Sequence, residues 1–358
     1  MATMRKAHLA AAPPASSHNR PLGEAASADC VRVEIRSVLR FGFLLLTLLA
    51  TGHALADDRP VQKVLVSFDG ALHNEQWDRS LALAVETGAR FTYFLSCTYL
   101  LTWETRREYR PPDRGAGASN VGFGYSREDV ADRLANILRA DSEGHEIGNH
   151  ACGHFDGGGW TEAEWLHEFA EFDRIVARAY EINGIENEPE PWRDLARAMN
   201  GGFRAPYLSA GDGMFAALRA HGFAYDASTV SQGPQAPGAV NGLATFALPM
   251  VAEGPQGRPV LAMDYNLFVR HSGGFERADT EGAFEERAYR AFMDAFESEY
   301  GGSRKPLQIG FHFTLMNGGA YWNALERFAR AVCIRDDVAC ISYREALADG
   351  AVVTGAGG

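Results

Sequence analysis

The stretch "VLVSFDGALHN", residues 64–74, decides the fold and marks the first candidate for chemistry. Val64, Leu65 and Val66 lead an apolar, β-branched run, which predicts a strand covered on both faces. The run stops on one carboxylate, Asp69, followed at once by Gly70. A carboxylate at the end of a buried strand is costly unless something pairs with it. Strand alternation puts Asp69 on one face with Ser67 and Leu65, while Phe68 points the other way.

Strand-like and helical runs alternate outward from this point. "KVLVSFD" is followed by "WDRSLALAVETG", "FTYFLS", "SREDVADRLANILRADSEG", "HEIGNH" and "TEAEWLHEFAEFDRIVARAYE". Ser126 with Asp129, and Thr161 with Glu164, are capping signals at the starts of two of these helices. "FRAPY", "AYDAST", "PVLAMDYN" and "LQIGFHF" continue the strands, interleaved with further helical runs. Repeated βα units with apolar strands predict a parallel sheet covered by helices, as a barrel or doubly wound. Residues 104–125 and 231–259 are rich in Gly, Pro and polar residues and are expected to be long, substrate-facing loops.

Composition limits the function classes. The chain has 358 residues, 46% hydrophobic and 22% charged, enough for a full-sized core. "FGFLLLTLLATGHALA", residues 41–56, follows Arg32, Arg36 and Arg40 and ends in Ala54-Leu55-Ala56, the pattern of a cleaved signal peptide. Residues 1–56 are therefore expected to be an upstream segment and signal peptide, with translation starting near Val31 to Val38. Residues 57–358 are expected to be one exported domain, periplasmic or secreted, with no membrane span after cleavage. The first 56 residues hold 6 basic and 3 acidic residues, leaving 28 basic, 43 acidic and a net charge of −15. Such an acidic surface is a poor match for nucleic acid or anionic lipid.

Polar residues recur at the C-terminal ends of the predicted strands: Asp69, His150, Arg204, Asp226, Asp264 and His312. In a parallel barrel that rim is where active sites are built. The sharpest local signal is "GHEIGNHACGH", residues 144–154, where His150 and His154 stand four apart beside glycines. That spacing lets two imidazoles meet one Zn²⁺ or another divalent metal.

"GHEIGNH" with His154 resembles the second motif of the NodB-homology polysaccharide deacetylases, carbohydrate esterase family 4. "FRAPY", residues 203–207, is similar to their Arg-x-Pro-Tyr motif, and "IGFHF" places His312 at their last-strand histidine. "SFDG" resembles their opening Thr-Phe-Asp-Asp-Gly with one Asp missing. The resemblance spans about Lys63 to Leu315. It implies an α/β fold, a distorted, incomplete (β/α) barrel, and removal of N- or O-acetyl groups from an acetylated glycan. It also implies Asp69 as general base oriented by Arg204, and His150 and His154 as zinc ligands. Tyr207 would contribute its backbone N–H to an oxyanion site. His312 would be the acid, held by Asp226, with Asp264 as a rival partner. Gly70 stands where the family has a ligand carboxylate, so water, Asp69 itself, His73 or Asn74 would complete the coordination. Two other readings follow from the degraded first motif and the scaffold: a glycan binder that does not cleave, and a hydrolase of small cyclic amides.

Four cysteines remain after the signal segment. Cys97 and Cys152 fall at neighbouring strand ends and are expected to pair; Cys333 and Cys340 flank "IRDDVA" and are expected to form a local bridge. Tyr125, Trp160 and Trp192 are candidate sugar platforms. Trp322 is expected in the core, and His73, His145 and His271 at the surface or in loops.

Overall fold

The computed structural model describes residues 59–350. The upstream segment, its signal peptide and the start site fall outside the described residues. Ten strands form one mixed sheet: β1 (Gln62–Gly70), β2 (Thr92–Leu95), β3 (Glu146–Asn149), β4 (Gly202–Phe203), β5 (Tyr225–Ser231), β6 (Gly238–Val240), β7 (Leu243–Glu253), β8 (Arg258–Leu261), β9 (Leu307–His312) and β10 (Val338–Cys340). β9, β1, β2, β3, β4, β5 and β7 pair side by side and parallel, and β10 joins the start of β1. A single bridge between Met263 and Gly310 links the end of the β8 segment to β9. The result is an open, incomplete barrel with helices outside, as the alternation and the resemblance imply.

The two-residue period of β1 sorts the core. Val64, Val66 and Phe68 join the large cluster between sheet and helices, where Phe68 packs on Tyr93, Phe313 and Trp322. Leu65 faces the opposite way, into a smaller cluster with Phe94, Tyr225, Phe246 and Tyr343. Asp69 is on this second face, one residue short of the strand end. Trp322 is fully buried, as expected of the helix Ala320–Val332. The capping signals hold too: Ser126 Oγ accepts from the N–H of Asp129, and Thr161 with Glu164 forms a reciprocal capping box.

Residues 231–259 are not one long loop. They carry β6, β7 and the first half of β8, with β6 and β8 antiparallel on β7. Asn241 and Gly242 both have positive φ in the β6–β7 connection, the two-residue turn that an Asn-Gly pair forms best. Both expected disulfides are present, Cys97–Cys152 and Cys333–Cys340. The first joins the segment after β2 to the loop after β3, and the second ties β10 to the end of the preceding helix.

Candidate active site

The ends of β1, β3, β4 and β9, with the turn after β8, surround one cavity of about 490 Å³. Asp69, His150, His154, Tyr207 and His312 all line it. Arg204 lies beneath, wholly buried, with Nη1 donating to Asp69 Oδ1 at 2.8 Å. Its other donors are also used: Ser67 Oγ at 2.7 Å, the Tyr343 hydroxyl at 2.9 Å and the Ala227 carbonyl at 3.0 Å. Burial alone pushes the Asp69 carboxyl up, but neighbouring positive charge, the Arg204 guanidinium first, outweighs it and leaves the group below its usual range. Asp69 is therefore an ionised carboxylate held in one orientation by a charge-assisted bond.

The two imidazoles of the Gly-flanked loop meet at the cavity wall, with ring centroids 5.2 Å apart. Nδ1 of His150 donates to the Arg204 carbonyl at 2.7 Å, which leaves the other ring nitrogen for the cavity. Nδ1 of His154 is buried with no hydrogen-bond partner. Burial, and then the neighbouring His150 and His312, push the His154 imidazole down to about 3, so it stays a neutral lone-pair donor at working pH. His154 also has positive φ, as does Ala151. The loop is bent into this shape by its anchors: the Cys97–Cys152 bridge, and Glu168, which accepts from the Cys152 N–H at 2.8 Å.

These donors fit a divalent cation only in an open arrangement. Two neutral imidazoles, one with an orphaned nitrogen, are the donor type that zinc prefers. Among the described residues, however, no three His, Cys, Asp or Glu side chains are grouped as a cation site. Asp69 offers its Oδ1 to Arg204. Asn74 donates to Asp129 and accepts from Asn136. His73 lines the cavity, half-buried, with its ring 5.9 Å from Tyr125.

The acid side corrects one expectation. Asp226 does not hold His312. It accepts from Ser228, Oγ at 2.6 Å and N–H at 3.1 Å, and Ser228 Oγ in turn accepts from the Ala205 N–H. The partner of His312 is Asp264, whose Oδ1 is 2.7 Å from Nδ1 and whose Oδ2 accepts the His312 N–H at 2.8 Å. Topology decides this: Asp226 is on β5, far along the sheet from β9, while the Met263–Gly310 bridge sets the next residue, Asp264, beside His312. Burial lowers the His312 imidazole, but the Asp264 charge and hydrogen bond outweigh that and raise it above its ordinary value. The signal was legible in "VLAMDYN", an apolar run leading to Asp as "VLVSFD" does.

Tyr207 sits at the mouth with φ 57°, its ring 4.7 Å from His154, and its N–H donates to no acceptor among the described residues. The exposed aromatics lining the cavity are Tyr207 and Tyr265, with exposed Tyr125 next to His73. Trp192 is a core residue instead, fully buried and donating to the Val176 carbonyl, and half-buried Trp160 packs on Trp165. His145 and His271 are buried as well. His145 accepts the Phe91 N–H at 2.9 Å, and His271 stands between Glu253 and Tyr321.

The geometry can be set beside solved structures. A Mycobacterium smegmatis protein assigned as a polysaccharide deacetylase superposes with TM-score 0.50 at 17% identity, covering 83% of this chain and 94% of that one. The chain has the fold of a polysaccharide deacetylase. Peptidoglycan deacetylase PdaC from Bacillus subtilis matches with TM-score 0.43 at 10% identity over 80% of this chain and 91% of that one. A CE4 family pseudoenzyme from Bacillus anthracis matches with TM-score 0.42 at 11% identity, over 80% and 66%. No protein-family model matches the sequence, and no curated protein does. Among the described residues no helix is long and apolar enough to cross a membrane.

Proposed function

We propose that the protein is an exported, metal-dependent hydrolase that removes acetyl groups, chiefly N-acetyl, from a polysaccharide. Residues 1–56 serve as upstream segment and signal peptide, and residues 57–358 as the deacetylase domain. The observation that carries this reading is convergence: a base pair of Asp69 and Arg204, two imidazoles, and a His312–Asp264 pair face one cavity. A divalent cation, zinc by donor type, held by His150 and His154 would polarise the acyl carbonyl and acidify water.

The chain's own groups do the rest. Asp69 accepts the proton of the attacking water, and Arg204 keeps that carboxylate ionised and aimed. The Tyr207 N–H faces the oxygen on which charge develops. His312, kept protonated by Asp264, gives its proton to the departing amine. Asp226 acts one step removed, fixing Ala205 through Ser228 so that Arg204 and Tyr207 keep their places. Tyr125, Tyr207 and Tyr265 offer apolar faces for sugar rings at the mouth.

Gly70 favours one second reading, a protein that binds acetylated glycan without cleaving it, because it leaves the cation corner short of a carboxylate. Acetate release from an N-acetylglucosamine oligomer, with and without chelator, separates the two. Chelator-sensitive release supports the hydrolase. Oligomer binding with no acetate released by zinc-loaded protein contradicts it.

A further inference from the structure

The residue that stands over Gly70 is Tyr99. A Cβ built on Gly70 would meet Tyr99 Cε2 at 3.3 Å and Oη at 3.7 Å, and Gly70 itself has φ +90°. The phenol ring thus crowds the position a Cβ at residue 70 would take, so a side chain there would push the ring aside by a few tenths of an ångström as well as being strained by the positive φ. Tyr99 follows β2, between the ends of β1 and β3, and lines the same cavity as Asp69, His150 and His154. It is only 8% exposed, and its hydroxyl has no hydrogen-bond partner among the described residues. Burial raises the phenol's pKa, so it is a neutral O–H donor at any working pH.

Its position is built rather than incidental. Arg133, wholly buried, donates from Nη1 to the Tyr99 carbonyl at 2.7 Å and from Nε to the Leu72 carbonyl at 2.6 Å. One guanidinium therefore clamps the segment after β1 to the segment after β2, and Asp129 neutralises it at 2.8 Å. The Cys97–Cys152 bridge, two residues before Tyr99, ties the same segment to the loop that carries His154. An unpaired donor held this firmly at a cavity wall is preorganised for a ligand oxygen.

We infer that Tyr99 is a residue of the site that replaces a carboxylate at position 70, its hydroxyl donating to an oxygen of water or substrate in the His150–His154 corner. The corner then carries two imidazoles and a neutral phenol where a third anionic ligand would stand. Glycine suits position 70 here, because a side chain would be strained at φ +90° and would crowd the Tyr99 ring. This rests on the metal reading above for the ligand, but the steric part stands apart from it.

Zinc affinity by competition with a chromogenic chelator, together with melting temperatures of the metal-free proteins, tests both parts. Tyr99→Phe is expected to weaken zinc about tenfold, the usual scale for a lost supporting hydrogen bond. Gly70→Asp alone is expected not to tighten zinc, because the Tyr99 ring crowds the new side chain. In a Tyr99→Ala background Gly70→Asp should tighten zinc at least tenfold and lower the melting temperature less than it does alone. Wild-type zinc affinity in Tyr99→Phe, or tighter zinc in Gly70→Asp alone, overturns the inference. Should the unchanged protein bind no zinc, the metal reading fails. The melting temperatures then decide alone, and equal losses from Gly70→Asp in both backgrounds overturn the placement of Tyr99.

Discussion

On the β1–β4 side of the cavity each nitrogen of the Arg204 guanidinium has a partner, whereas on the other side the buried Nδ1 of His154 has none, and among the described residues no hydrogen bond engages the Tyr99 hydroxyl. The first side is tied together, with Asp69, Ser67 and Tyr343 all bonded to Arg204 under the rim. The second is bent into positive φ at Ala151, His154 and Gly70, and is braced from behind by a disulfide, Glu168 and Arg133. An ion pair completed at folding sets a proton acceptor in advance. Neutral donors left unpaired are completed only by what binds. On the proposed function, the chain places its base in the rigid half and leaves the other corner to be completed by its ligand.

Breaking the rigid half should cost most. Arg204→Met leaves Asp69 buried without its partner, and such a break typically costs about 3–5 kcal/mol. Urea unfolding measures it, and a loss near zero would mean the pair is not a folded-state element. Next is the brace behind the ligand corner. Opening Cys97–Cys152 by Ser at both positions should cost about 2–4 kcal/mol and weaken zinc binding with it; unchanged zinc affinity would show that the loop holds its shape without the bridge.

Two smaller effects sharpen the contrast through pH. Burial pushes the Glu168 carboxyl up to about 7 from an unfolded value of 4.5. A raised carboxyl contributes stability that is complete below the unfolded value and is lost as pH rises through the folded one. The advantage of the unchanged protein over Glu168→Gln should therefore shrink between pH 4.5 and about 7; melting curves across that window check it. Asp264→Asn removes the charge that raises His312, so the alkaline limb of the rate profile should move to lower pH. A limb that stays in place would show that His312 is not the proton donor.

Much of this was legible in the residues, and the exceptions have physical causes. The period of two along β1 was enough to place Asp69 beside Ser67, and the rim positions of His150, Arg204 and His312 follow from strand ends. What local pattern cannot say is which rim residue faces which across an open barrel, so Asp226 and Asp264 looked equivalent until the β8–β9 bridge separated them. Tyr343 was hidden for the same reason, arriving from a C-terminal helix after β10 to meet Arg204. Glu168 reads as the charged face of an amphipathic helix, yet its carboxylate is turned inward by Tyr109 and the Cys152 N–H. The Asn241-Gly242 hairpin was readable, but the surrounding Gly and Pro masked it as loop.

The division between a preset base and a ligand-completed corner is tested most directly by one paired measurement. Zinc content and acetate release from an N-acetylglucosamine oligomer are read together in Asp69→Asn and His150→Ala at saturating zinc. Asp69→Asn is expected to keep much of its zinc while losing roughly 10²–10⁴-fold in turnover, the scale of a general base. His150→Ala is expected to lose zinc and turnover together. If Asp69→Asn loses its metal as completely as His150→Ala, Asp69 is a ligand and the two halves are one.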